Sequence, residues 1–206
     1  MEKNSSKSYW SKKNEWFINA YNSSLIESIK HAPVLLREDL AIITAKLINA
    51  NSILDLGCGP CRVLGNCLEA IEGSKGYGLD FSSSMIKESE SFLKSRNLLG
   101  RTNLQKVDLL KIDNYPKSSI SIGLGLFDYI GDPQIIIKKS IKAAPVLVAS
   151  WPTRTFRNYL RRFRYSCNVY TYKHQDVEDL LRSEGFKYTK TINLGGFSGF
   201  ATISMI

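Results

Sequence analysis

The residues that could do chemistry in this chain fall into a few clusters. The first is Ile53-Leu-Asp55-Leu-Gly57-Cys58-Gly59-Pro60. A short apolar run feeds a glycine turn there, and a helix is expected just beyond it. Glycine suits a backbone that must turn tightly and let a ligand come close, and free amides at a helix start favour an anionic group. The second cluster is acidic. Asp80 closes the next apolar run, 21 residues after Gly59. An acid at that spacing can accept hydrogen bonds from both hydroxyls of a ribose. Asp108, in Val107-Asp108-Leu109, closes a third run, where a strand edge can hold a planar base. Asp55 and Asp80 could instead serve as turn or cap residues. The third cluster is Cys58-Gly-Pro-Cys61, the spacing of a thioredoxin-like dithiol, where a helix start would lower the first thiol's pKa. The fourth is the stretch WPTRTFRNYLRRFRYSCNVYTYK at 151–173, rich in arginine and aromatic residues.

These residues need elements to position them. Residues 1–14 read as a polar tail, and Glu15 to Lys30 as a short helix rich in aromatic residues that could fold over a ligand as a lid. Pro33 can open a second helix that runs through Leu47 and Ile48. From residue 52 to 150, apolar runs alternate with helical patterns. Strands are expected at 52–56, 75–80, 103–107, 120–126 and 146–150, and helices at 61–72, 82–96 and 133–143. A further helix, 175–184, is stopped by Gly185. Strands at about 186–193 and 197–205 close the chain, joined at Gly195-Gly196. So short a link permits only an antiparallel hairpin. The expected fold is α/β: a doubly wound, mostly parallel, seven-stranded Rossmann-like sheet with a C-terminal antiparallel hairpin. Residues 1–30 form the tail and lid-like helix in this division, and 31–206 the main domain, with a basic aromatic insertion at 151–173.

The glycine loop discriminates between nucleotide sites. A dinucleotide fingerprint needs glycine at the sixth position of GxGxxG, where this chain has Arg62, and no GK[ST] follows for a phosphate loop. The chain closely resembles the class I S-adenosylmethionine-dependent methyltransferases over roughly residues 34–206. The likeness rests on LDLGCGP, on Asp80 in GLDFSSSMI, on Asp108, and on GLFDYIGDP after the fourth strand. It implies S-adenosyl-L-methionine as cofactor. Asp55, Gly57, Cys58 and Gly59 would face its methionine part, and Asp80, Phe81 and Met85 its ribose. Asp108 and Leu109 would flank the adenine, and Gly125 would pass beneath the methyl group. Cys61 stands where the family often has a third glycine, and Ser119 where it often has an acid.

On the acceptor side, Arg154, Arg157, Arg161 and Arg164 share one face of a helix at about 100° per residue, with Phe156, Tyr159, Leu160 and Phe163 on another. Trp151, Arg154, Arg157, Arg161 and Tyr165 are the expected acceptor contacts, because guanidinium groups pair with carboxylates and phosphates. Asp128, Tyr129 and His174 are the candidates to move a proton or orient the acceptor. The function expected is methyl transfer to a small molecule, one carrying a carboxylate or phosphate. The alternatives are a nucleic-acid methyltransferase using 151–173, a dithiol protein, or a cofactor-binding regulator without catalysis. Cys67, Cys167, His31 and His174 lack zinc-ligand spacing, so no metal is expected.

Composition bounds the rest. The chain has 206 residues, 43% apolar and 23% charged, enough to bury a core. Its net charge of +9 is confined to two segments: residues 1–14 carry +3 and residues 151–175 carry +6. No stretch approaches the roughly 18 apolar residues of a membrane span. The first residues hold no apolar secretion signal, so a cytoplasmic location is expected.

Overall fold

In the computed structural model, the described residues are 25–155, 168–195 and 199–206, with side chains described from residue 32 onward. The expected tail and most of the lid-like helix, Arg157, Arg161, Tyr165 and the centre of the basic segment lie outside them.

The sheet is built from the strands that read as apolar runs. They are β1 (Ser52–Leu56), β2 (Lys75–Asp80), β3 (Thr102–Lys106), β4 (Ile120–Gly123), β5 (Val146–Pro152), β6 (Tyr188–Asn193) and β7 (Gly199–Met205). Their order across the sheet is β3-β2-β1-β4-β5-β7-β6. The pairs from β3 through β5 are parallel, and β7 runs antiparallel to both β5 and β6. This is the expected seven-stranded sheet with its reversed end. Strands buried on both faces need continuous apolar runs, and all seven residues of β5 are buried. The outer strands β3 and β6 hold only exposed and half-buried positions.

Among the described residues, five helices cover the two faces: α1 (Leu25–Leu47), α2 (Arg62–Ala70), α3 (Ser83–Ser95), α4 (Pro133–Ala143) and α5 (His174–Ser183). The pleat of β1 decides which side each residue serves. Ile53 joins Ala41 and Ala45 of α1, Leu64 and Leu68 of α2, and Leu93 of α3. Leu54 and Leu56 join Ile136 and Ile137 of α4 and Val177 and Leu181 of α5. Asp55 shares the pleat direction of Ile53, so its carboxyl is directed toward the α1–α2 side.

Local signals account for most boundaries. Ser82 caps α3 by accepting from the Met85 amide, and Asp132 caps α4 by accepting from the Gln134 amide. Gly185, at φ +109°, ends α5, and the Phe186 amide turns back to the Leu181 carbonyl. Pro33 is a correction. It lies inside α1 rather than opening it. A proline there forfeits one intrahelical bond, and the helix continues through it because Ala41 and Ala45 further along are fully buried against the sheet. Strand β4 is also shorter than expected, because the chain turns at Gly125 (φ +71°) into a short 3-10 turn at Phe127–Tyr129.

The chain leaves β1 for β2 and β3 on one side, and returns to β4 and β5 on the other. The switch point lies at the carboxyl ends of β1 and β4, where open α/β sheets bind ligands. Gly78, opposite Asp55 in β2, allows the loop after β1 to lie on the sheet. A Cβ there would stand 2.7 Å from Leu104 Cδ2, 3.0 Å from Cys61 Sγ and 3.1 Å from Cys58 Sγ. Gly78→Ala is expected to destabilise the fold by about 1–3 kcal/mol through overpacking, read as a lower urea midpoint with an unchanged slope.

Candidate functional site

The loop after β1 has no strand partner of its own, and three of its residues take left-handed backbone: Gly57 at φ +68°, Gly59 at +52° and Cys61 at +58°. Side chains other than glycine's disfavour that region by roughly 1–2 kcal/mol. Cys61 nevertheless keeps the glycine-like conformation at the start of α2. Hydrogen bonds to β2 hold the loop. The Gly57 and Cys58 amides donate to the Leu79 carbonyl at 2.8 and 3.1 Å. The Gly59 amide donates to Asp80 Oδ2 at 3.0 Å, and the Ser82 amide to Asp80 Oδ1 at 2.8 Å. The Ser89 hydroxyl of α3 donates to the Gly59 carbonyl at 2.6 Å. A Cβ on Gly59 would meet nothing within 4 Å, so the loop presents bare backbone to open space there.

Asp80 therefore performs the turn chemistry that was one of its two readings. The other stays available. A carboxylate offers about four acceptor positions, and the amides of Gly59, Ser82 and Phe81 do not fill them all. Burial raises its pKa, while the Ser82, Gly59 and Phe81 amides pull it down.

Asp55 is the most perturbed acid at the switch point. Burial, then the charges of Asp80 and Glu38, raise its pKa from the usual 3.8 to about 7, against one amide bond from Leu64 at the start of α2. Glu38, from α1, is also raised by burial, and Arg62 opposes this by hydrogen bond and charge. Arg62 Nε donates to Glu38 Oε2 at 3.1 Å, and Nη2 donates to the same oxygen. That pair explains the arginine at the position where a dinucleotide fingerprint has glycine: it ties α2 to α1. One residue earlier in α1, the Arg37 guanidinium lies against Gly125.

Asp108 and Leu109 sit in the turn after β3. Asp108 Oδ1 accepts from the Leu110 amide at 3.2 Å. The turn is pinned from outside by Lys139 of α4, whose ammonium donates to the carbonyls of Leu109, Leu110 and Ile112. Phe81 is half-buried and Met85 buried at the start of α3.

The expected lowering of the first thiol's pKa is corrected by its surroundings. Cys58 and Cys61 are buried free thiols. The Cys61 hydrogen bond, burial, and the charges of Asp55 and Asp80 all push the Cys58 thiol up. The Cys61 contact and burial, ahead of the acids, outweigh what a helix start would offer, and a thiol held protonated is a poor nucleophile.

The acceptor-side residues are less gathered. Asp128 is buried, and its carbonyl accepts from the Tyr170 amide at 2.9 Å. Tyr129 beside it is half-buried. Trp151 is a core residue, which corrects its expected role in acceptor binding. Its ring stacks on Phe127 at 4.0 Å, meets Tyr172 edge-on at 5.2 Å, and donates from Nε1 to Thr202 Oγ1 at 3.0 Å. It is 1% exposed because β5 is buried on both faces along its whole length. His174 opens α5, exposed, with its ring edge-on to Phe200 at 4.0 Å. Arg154 is exposed just beyond β5. Among the described residues, no three His, Cys, Asp or Glu side chains gather as a metal site, and no helix is long and apolar enough to cross a membrane.

The solved structures place this geometry. Magnesium protoporphyrin IX methyltransferase from Synechocystis PCC 6803, solved with bound S-adenosylhomocysteine, superposes with a TM-score of 0.74 at 15% identity, over 97% of this chain and 94% of that one. The fold is that of the class I methyltransferases. A Bordetella parapertussis protein described as a possible exported protein matches with a TM-score of 0.73 at 16% identity, over 93% and 78% of the two chains. The methyltransferase domain of a bacterial CtHen1 protein matches at 0.65 and 15% identity, over 82% and 97%. No family model and no curated protein matches the sequence. Within this methyltransferase-type fold, the glycine loop, Asp55, Asp80 and Gly125 all lie at the switch-point ends of the central strands.

The Asp55 perturbation has a measurable sign. Its folded pKa lies above its unfolded value, so the folded chain holds the extra proton between about pH 4 and 7, and stability falls as pH rises through that window. Asp55→Asn removes this loss. In ligand-free thermal melts, the variant is expected to gain on wild type as pH rises from 4 to 7, with a constant difference above 7. Parallel curves over that range would refute the assignment.

Proposed function

We propose that this chain is an S-adenosylmethionine-dependent methyltransferase acting on a small-molecule acceptor. The observation that carries the reading is the bare glycine turn held by Asp80, with acceptor capacity left on that carboxylate. Asp80 would bind the ribose hydroxyls, with Phe81 and Met85 beside the sugar and Asp108 and Leu109 along the adenine. Asp55 and the backbone of Gly57, Cys58 and Gly59 would line the methionine part, and Gly125 would pass beneath the methyl. A site with Glu38, Asp55 and Asp80 buried around it suits a ligand bearing sulfonium and ammonium charges, and such a ligand would draw Asp55 back toward its ionised form.

The cofactor supplies an already activated methyl group. This chain's residues would contribute alignment of the acceptor and exclusion of water. Lys139 would act from a distance by fixing the turn that carries Asp108 and Leu109. Asp128, Tyr129 and His174 remain the candidates for orienting the acceptor or taking its proton, and Arg154 with the arginines of 151–173 for holding an anionic group on it. The +6 charge of residues 151–175 favours a second reading, in which the acceptor is a nucleic acid held by its phosphates.

Calorimetric titration tests the cofactor. Wild type is expected to bind S-adenosylmethionine and S-adenosylhomocysteine at micromolar concentrations and to ignore NADH. Asp80→Ala is expected to lose that binding by a factor of about 100 or more, through the ribose and the released Gly59 loop. A folded wild-type protein that binds neither compound would overturn the reading.

A further inference from the structure

Among the described residues, the Arg37 guanidinium has no partner that accounts for it. Its Nε is buried and makes no hydrogen bond with them. Its Nη2 and Nη1 lie 3.1 and 3.4 Å from the point where a Cβ on Gly125 would stand, so the group rests against a residue that has no side chain. The backbone there is fixed: Gly125 has φ +71°, and its amide donates to Ser150 Oγ at 2.8 Å. The neighbouring acid Glu38 turns to Arg62 instead, and Arg37 reaches it only through charge. A buried guanidinium donor left unpaired is costly, and a planar fork of N–H groups matches a carboxylate in two parallel bonds.

We propose that Arg37 is a carboxylate-recognising residue, binding its ligand where the guanidinium lies against Gly125. A carboxylate fits better than a phosphate. Glu38, Asp55 and Asp80 already surround the switch point, and a second negative charge on the ligand would be repelled. This rests on the methyl-transfer reading, under which two carboxylates could come to Gly125. One is the amino-acid carboxylate of the cofactor, and the other is a carboxylate on the acceptor.

The test compares wild type with Arg37→Gln and Arg37→Lys, each shown by thermal melting to be folded. Each protein is titrated with S-adenosylhomocysteine and with its decarboxylated analogue, which keeps the amine. If Arg37 holds the cofactor carboxylate, Arg37→Gln weakens the first by about 10- to 100-fold and leaves the second unchanged. Arg37→Lys should then recover part of the loss, since it keeps the charge without the fork. If Arg37 holds the acceptor carboxylate, both affinities stay at wild-type values. Benzoate or acetate then binds the S-adenosylhomocysteine-saturated wild type and not Arg37→Gln. Equal behaviour of wild type and Arg37→Gln in every titration overturns the proposal. A wild type that binds neither adenosine compound defeats the cofactor reading instead. Benzoate and acetate titrated into the ligand-free proteins then decide Arg37 separately.

Discussion

The carboxylate of Asp80 joins the two loops that frame the switch point, and the Leu79 carbonyl and Ser89 hydroxyl reinforce the join. One oxygen accepts from the Gly59 amide after β1 and the other from the Ser82 amide after β2. The strands fix their own positions through the sheet ladder, but the turns at their ends have left the ladder. A buried carboxylate with amides on both oxygens is a rigid and directional bridge. From it follow the left-handed course of residues 57–61, the start of α2 at Arg62, and the Ser82 cap that starts α3. The two helices lie on one face of the sheet because β1–α2–β2 and β2–α3–β3 are successive right-handed crossovers in one direction, and both begin beside this side chain.

The site departs from what stability alone would select. Three acids, Glu38, Asp55 and Asp80, are buried close enough to raise one another's pKa or to be raised by burial. Arg62 pairs with one of them. Cys61 holds a left-handed backbone that glycine would adopt freely. Unfavourable groups of this kind concentrate where a protein binds or reacts, and well-packed strands such as β5 carry the stability that tolerates them.

What could be read from the chain was local in sequence. The strand–turn–helix at 53–62 shows in its glycines, the cap at Ser82 in its serines, the helix stop at Gly185, and the antiparallel end in a link too short for anything else. Asp80 was legible because the repeat length of a βαβ unit sets its distance from Gly59. The long-range pairs were silent. Nothing near Glu38 announces Arg62, 24 residues later, and nothing near Leu109 announces Lys139, 30 residues later. Nothing near Arg37 announces Gly125, far along the chain. Trp151 was misread for a related reason. Its neighbours beyond residue 153 are arginines and aromatics, but its own environment is set by β7, 50 residues away in sequence, whose Thr202 takes its indole hydrogen bond.

The place of β7 governs the order in which the molecule can be built. Residues 199–205 lie between β5 and β6 and pair with both. During synthesis, the ladder from β3 to β5 can already form, since its strands all precede residue 153, while α4 still awaits α5. The far half of the sheet cannot close until the last strand has emerged, and β5 must wait with one edge open. Long-range strand pairing of this kind is slow, and an open edge invites pairing with another chain. The glycine turn and its acids belong to the half that can assemble early, so the ligand-binding ends of the strands can be formed before the sheet is whole.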